Sequence, residues 1–332
     1  MKKTILVCGA GGFIGGHLVS HLMKNKENKI ICADIKPKEF WFQIFEENKN
    51  FSLDLKEYEN CLKVTEGVNE IFNMACNMGG MGFIENNKAE CMLSVLINTN
   101  LLRAANLNKS NKYFFSSSAC VYNGSKQSDV FIPGLKESDA YPAEPEDGYG
   151  WEKLFSERMC RHYTEDFNLQ TRVARYHNIF GPIGTYDGGR EKAPAAICRK
   201  IINAKLNKDS SIDVWGDGEQ TRSFLYIDDC IKGTINLFES DSTKVYNIGS
   251  EEQVSINQMI NMIEEIASYK VKKNYQLDKP LGVRGRSSDN TMITKEIGWS
   301  PSLNLKQGLE QTYSWIYDQV VSGSNTKKFT RS

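Results

Sequence analysis

TILVCGAGGFIG, Thr4–Gly15, decides the fold. The apolar run Thr4–Cys8 reads as a buried strand, and Gly9, Gly12 and Gly15 read as the turn that leads into a helix at Phe13. Glycines at such a turn let backbone approach a pyrophosphate, whose charge then sits on the helix N-terminus. Alone the pattern is equally an ordinary strand–helix turn. Asp34, ending the second strand about twenty residues on, strengthens it. A carboxylate there accepts hydrogen bonds from both adenosine ribose hydroxyls and repels a 2′-phosphate, so NAD is expected rather than NADP. The cofactor set therefore comprises Gly9, Gly12, Phe13, Ile14, Gly15 and Asp34. Asp54, after a third strand in FSLDL, reads as an adenine contact or equally as an N-cap before Lys56–Glu66.

Outward from that stretch, apolar runs at Lys29–Ala33, Glu70–Met74, Lys112–Ser116 and Thr171–Arg175 alternate with helical patterns at Phe13–Lys24, Ala89–Asn106 and Gly150–Phe167. Strand–helix alternation predicts a doubly wound parallel α/β sheet of the Rossmann type. Residues 1–175 form the expected dinucleotide domain. Residues 176–322 are richer in glycine and polar residues, with Val245–Ile248 as a strand and Ile256–Ser268 as a helix. They read as a smaller C-terminal α/β lobe that carries substrate, with some elements returning to the main domain. Residues 323–332 read as a frayed tail, and Lys36–Asn50 shows no readable period.

Length and charge narrow the possibilities. The 332 residues suffice for two domains, and 41 basic against 41 acidic side chains leave no net charge and no basic stripe for nucleic acid. No apolar run approaches the roughly 20 residues that span a bilayer. The first residues resemble a signal peptide in composition, but the glycine cluster inside the run favours a strand. Nine scattered cysteines without a CxxC pair fit a reduced cytoplasmic protein and predict no metal site.

The chemistry sits in SSSACVY, Ser116–Tyr122, and YGWEK, Tyr149–Lys153. Tyr149 and Lys153, four apart, share one helix face. An ammonium there stabilises a phenolate and lowers a pKa ordinarily near about 10. That phenolate can take the proton of a sugar hydroxyl while a hydride leaves the same carbon. Cys120, two residues beyond Ser118, is either a small buried hydrophobe or a second proton-transfer group.

With these motifs the chain resembles the extended short-chain dehydrogenase/reductase superfamily of nucleotide-sugar enzymes. The resemblance implies that Ser118 bonds the reacting hydroxyl, Tyr149 is the acid/base, and Lys153 binds the nicotinamide ribose and tunes Tyr149. Four further blocks narrow it: NMGGMGFIENN at 77–87, LKESDAYPAEPEDGYG at 135–150, GGREKAPAAICRK at 188–200 and WGDGEQTRSF at 215–224. Together they resemble the GDP-mannose 3,5-epimerase family. That implies transient oxidation at C4, epimerisation at C3 and C5, and return of the hydride, giving GDP-L-galactose and GDP-L-gulose. Cys120 and Lys192 then form the acid/base pair, a thiolate that removes the protons and an ammonium that replaces them from the other face. Gly79, Asn178, Glu191, Ala193, Lys200, Gln220, Arg222 and Arg286, with Ser118, Cys120 and Lys192, bind the GDP-sugar. The two arginines are assigned to its diphosphate. His162 and His177 read as structural. A homodimer is the superfamily habit, with neither nucleic acid nor membrane as partner.

Two departures stand out. Ser94 replaces the asparagine usual in N-x-x-G-T, and the C-terminal segment does not match the plant-type enzymes. They leave open a related GDP-sugar such as a manno-configured heptose. A 4,6-dehydratase or C4-epimerase on the same scaffold is the competing enzyme reading, and a catalytically silent NAD-binding protein the competing non-enzyme one.

Overall fold

The computed structural model describes residues 3–280, 282–323 and 326–330. Six strands in chain order, β1 (Thr4–Cys8), β2 (Lys29–Asp34), β3 (Lys49–Ser52), β4 (Glu70–Asn73), β5 (Lys112–Ser118) and β6 (Gln170–Tyr176), enter one sheet. With Val245–Ile248 the lateral order is Val245–Ile248, β6, β5, β4, β1, β2, β3, and every pairing is parallel. The strand order reverses beside β1, where β4 and β2 flank it. Such a switch point opens a crevice at the carboxyl ends of the strands.

Both faces of the sheet are covered, as continuous apolar strands require. Ile5 and Val7 face one core, and Leu6 and Cys8 face the other. Helices Tyr58–Thr65, Ser94–Leu107 and Tyr149–Phe167 contribute to the second core through Cys61, Leu101 and Cys160. The first core runs on without interruption from Phe13–Leu22 into Ala193–Asn207, Ile256–Ala267 and Leu305–Ser322. A single apolar cluster thus joins the sheet to the smaller lobe. In that lobe Thr221–Ser223 lies between Gln253–Ser255 and Gly285–Arg286, which places Arg222 and Arg286 side by side in register.

Three expectations change. The helix predicted over Ala89–Asn106 is two helices, Lys88–Met92 and Ser94–Leu107. At the break the Ser94 hydroxyl accepts a hydrogen bond from the Asn77 N–H at 2.9 Å, so the serine ties the 77–80 loop to the start of the second helix. The supposed tail packs over residues 326–330. Phe329 is buried between Phe42 and Trp315, with ring centroids 5.3 and 5.0 Å away, because an aromatic ring gains more from that pocket than from water. The other tail positions, 324–325 and 331–332, lie outside the described residues. Within Lys36–Asn50, Trp41 is buried with its indole N–H on the Lys36 carbonyl, 2.9 Å, and its ring stands where a Cβ on Gly11 would be.

Candidate active site

At the mouth of the crevice, Gly9 has φ +75° and Gly12 caps the Phe13–Leu22 helix with no side-chain acceptor and no acidic residue in the first turn. A Cβ on Gly15 would run into the Gly9 carbonyl, so the helix lies hard against the turn. Its first N–H groups therefore remain available to an anion. Asp34 is buried; one oxygen accepts from the Gly11 N–H at 3.0 Å and the other from the Lys36 N–H at 2.9 Å. Burial pushes its carboxyl up, against the pull of Lys36 and the backbone N–H groups. Asp54, three residues before the helix N-cap at Glu57, accepts from the Lys56 N–H at 2.9 Å in a local turn. A dinucleotide fits this cradle. Further along the crevice, Lys153 Nζ is buried without a hydrogen-bond partner among the described residues, the kind of donor that ribose hydroxyls complete.

Tyr149 begins the Tyr149–Phe167 helix, and packing sets its place. A Cβ on Gly150 would strike the Cys120 carbonyl, so the helix start docks onto the turn that follows β5. In that turn the Ser118 hydroxyl accepts from the Cys120 N–H at 3.2 Å. Lys153 Nζ lies 5.4 Å from the Tyr149 ring centroid, 4.7 Å from that of Phe115 and 3.5 Å from Glu152 Oε2. Burial opposes the Lys153 ammonium, but Cys76 and Glu152 outweigh it and hold its pKa up. Burial raises Tyr149, and Cys76, whose sulfur is 4.0 Å from the phenol oxygen, adds to this. The resting tyrosine is a phenol beside a fixed cation.

The sequence blocks at 77–87 and 188–200 come together here. Arg190 stacks on Phe83 at 3.9 Å and donates to Asn77 Oδ1 at 3.1 Å, while the Gly80 N–H donates to the Arg190 carbonyl. Glycine is required at 80, since a Cβ would lie 2.7 Å from the Glu191 carbonyl. Behind this contact is a cavity of about 420 Å³. Every residue assigned from the sequence to the sugar nucleotide lines it: Gly79, Ser118, Cys120, Asn178, Glu191, Lys192, Ala193, Lys200, Gln220, Arg222 and Arg286. Tyr149 lines it as well. Asn178 donates to the Ser223 carbonyl at 2.9 Å, Lys200 to the Asp213 carbonyl at 2.7 Å, and Gln220 to the Trp215 carbonyl at 3.1 Å, its own Oε1 having no partner among the described residues. His177 is buried on Asn247 Oδ1 at 2.9 Å, and exposed His162 pairs with Glu165.

Two electrostatic features bear on the expected roles. Burial pushes the Cys120 thiol up to about 12, and desolvation pushes the Lys192 ammonium down. Burial thus works against both the thiolate and the ammonium that the resemblance implies. Arg286 does not reach out as an empty fork for a diphosphate. It is buried and donates to Gln127 Oε1 at 2.6 Å, to Glu146 Oε1 at 3.1 Å and to Cys120 Sγ at 3.7 Å. Desolvation by burial brings Arg222 to about 10. Sequence reasoning also passed over Glu146, Trp215 at the cavity rim, and Arg199, which pairs with Glu191 at 3.3 Å. Glu146 stood inside a quoted block, but nothing local distinguished it from its surface neighbours.

A family model described as the NAD dependent epimerase/dehydratase family matches residues 5–249. GDP-mannose 3,5-epimerase 1 of Oryza sativa subsp. japonica is 47% identical over 320 residues, 96% of this chain and 83% of its own. GDP-mannose 3,5-epimerase of Arabidopsis thaliana is 46% identical, over 95% of this chain and 82% of its own. Among solved structures, UDP-glucuronic acid 4-epimerase from Bacillus cereus, in complex with UDP-glucuronic acid and NAD, superposes with a TM-score of 0.80 at 26% identity, covering 96% of this chain and 99% of that one. UDP-glucose 4-epimerase from Thermotoga maritima, with a TM-score of 0.85 at 22% identity over 96% and 99% of the two chains, shares the fold.

Proposed function

The chain belongs to the NAD dependent epimerase/dehydratase family, and we propose that it is an isomerase that inverts C3 and C5 of GDP-mannose or of a close manno-configured GDP-sugar. The observation that carries this is the placement of Cys120 and Lys192 in one cavity with Ser118 and Tyr149. A simple C4-epimerase needs only Tyr149 and leaves that pair without a task.

NAD is the cofactor, and when bound it takes a hydride from C4 of the sugar and later returns it. Gly9, Gly12, Phe13, Ile14 and Gly15 would hold its pyrophosphate, Asp34 the adenosine ribose, Lys153 the nicotinamide ribose, and Asp54 would meet the adenine. Ser118 orients the C4 hydroxyl and Tyr149 accepts its proton, the Lys153 cation offsetting the phenolate charge. The C4 ketone acidifies the protons on C3 and C5, because the electron pair left behind delocalises into the carbonyl. Cys120 and Lys192 then exchange protons with those carbons from opposite faces. Arg222 holds the diphosphate. Asn178, Glu191, Lys200 and Gln220 offer the remaining polar contacts, and Gly79 and Ala193 leave room for substrate against the backbone.

The same reading places the protein in the cytoplasm as a homodimer. All nine cysteines are free, which fits a reducing compartment. No helix among the described residues is long and apolar enough to cross a membrane. Trp151, Phe155, Met92, Leu93 and Leu96 stay exposed on helices that pack together, a surface suited to a second copy. NMR of the products from GDP-mannose tests the activity. Signals of GDP-L-galactose are expected, and a 4-keto-6-deoxy sugar as the sole product would overturn it.

A further inference from the structure

The segment 182–192 is tied to both walls of the crevice. On one wall, His17 Nε2 meets the Pro182 carbonyl at 3.1 Å, and a Cβ on Gly184 would stand 3.0 Å from the Phe13 ring. Both contacts fall on the first turns of the Phe13–Leu22 helix, which follows β1. At the lobe, Arg199 Nε donates to the Tyr186 carbonyl at 2.8 Å, and the same guanidinium pairs with Asp187 at 3.2 Å. On the other wall, after β4, Arg190 does the holding. Its guanidinium lies 3.9 Å from the Phe83 ring centroid, and Nη1 donates to Asn77 Oδ1 at 3.1 Å and to the Met78 carbonyl at 3.4 Å. Its carbonyl accepts from the Gly80 N–H at 3.1 Å. Since β1 and β4 are neighbours at the switch point, a segment fastened beyond both of them spans the crevice.

Just before Arg190 the backbone is built to turn. Gly188 and Gly189 have φ +93° and +90°, and a Cβ on Gly189 would meet nothing within 4 Å. Two such glycines make a hinge. The side-chain acceptors of Arg190 are neutral, an amide and a backbone carbonyl, so the contact beyond the hinge rests on stacking and ordinary hydrogen bonds.

We infer that residues 182–192 are a strap over the bound dinucleotide and that Arg190 is the positioning residue that latches it, so that cofactor exchanges only when Arg190 leaves Phe83 and Asn77. The inference rests on NAD as the cofactor and on the cradle described above, not on the identity of the sugar. A dinucleotide laid from the Gly9–Gly12 turn toward Lys153 would run beneath that span. Glu191 and Lys192 follow Arg190 directly and line the cavity. An open strap carries both away, and the cavity is complete only while the cofactor is enclosed. Enclosure suits a reaction in which one hydride leaves a carbon and must return to it.

The test is release of NADH from the full-length protein, followed by its fluorescence in stopped flow after mixing with excess NAD and no sugar. Arg190→Ala should speed release about tenfold or more, the factor carried by a charge-assisted hydrogen bond. Phe83→Leu removes the stacking partner without removing a charge, and it should speed release too. Asn77→Asp keeps the acceptor and sets a carboxylate against the guanidinium, so release should slow. A misfolded loop cannot hold the cofactor longer, which separates latching from mere stability. Unchanged release in Phe83→Leu would make Arg190 a plain charge contact and overturn the latch. Release no slower in Asn77→Asp would overturn it as well. Because no sugar enters these rates, wild-type protein inert toward GDP-mannose would sink the epimerase reading and leave the strap standing; unaltered rates would do the reverse.

Discussion

Asp34 is the side chain proposed to set cofactor choice. Its oxygens are pinned by the Gly11 and Lys36 N–H groups, so the carboxylate cannot swing aside for a 2′-phosphate. Asp34→Ala should therefore weaken NAD and improve NADP, narrowing the discrimination seen by calorimetry, while product identity stays the same; wild-type protein that binds NADP as tightly as NAD contradicts this. Arg222 carries the second residue-scale prediction. Losing a charge-assisted hydrogen bond costs ~1.5–3 kcal/mol, about ten- to a hundred-fold in binding. Arg222→Ala should raise KM for the GDP-sugar by that factor, and an unchanged KM would move the diphosphate elsewhere. Individual placements were legible in the sequence where a motif fixes backbone geometry, as for Gly9, Gly15, Tyr149 and Lys153. The burial that opposes a Cys120 thiolate, and the turning of Arg286 toward Glu146, depend on contacts between residues more than twenty positions apart. Spacing along the chain carries no trace of these.

At the scale of elements, strands were the most readable because β1 and β2 are buried on both faces and appear as apolar runs, and β4, β5 and β6 keep short apolar stretches between turn signals. Helix continuity was less so: the break at Leu93 sits beside the Ser94–Asn77 bond, a contact to a loop distant in sequence. Packing of Phe329 was hidden too, since one aromatic among polar residues looks like any exposed end. The junction of β6 with Val245–Ile248 has its own signature. His177, just past β6, is buried against Asn247 of the neighbouring strand, and burial lowers it to about 3. A base depressed in the folded state stays neutral there while the unfolded chain takes up a proton below about 6.5. Stability is thus full above about 6.5 and falls as the pH drops toward about 3, by roughly 1.4 kcal/mol per unit from this one group. In urea titrations His177→Gln should lose that share of the slope between those limits. Parallel curves for wild type and variant would show that His177 titrates normally.

For the whole molecule, the switch beside β1 puts the cofactor cradle and the Tyr149 helix at the carboxyl ends of the strands, and the continuous core holds the smaller lobe against them. Trp151 and Phe155, 44% and 49% exposed at the start of the Tyr149–Phe167 helix, link the site to the proposed dimer face. Sedimentation should give a dimer for the wild type and a monomer for Trp151→Glu; a monomeric wild type at micromolar concentration argues against that face. The central claim is that oxidation at C4 opens both neighbouring carbons to Cys120 and Lys192. Its most direct measurement is NMR of the GDP-sugar pool after turnover of GDP-mannose in D₂O. The account predicts deuterium at C3 and C5 of inverted product with wild-type protein and none at either carbon with Tyr149→Phe, because without a ketone those protons are never acidified. Deuterium at neither position in wild-type product, or undiminished exchange in Tyr149→Phe, would contradict it.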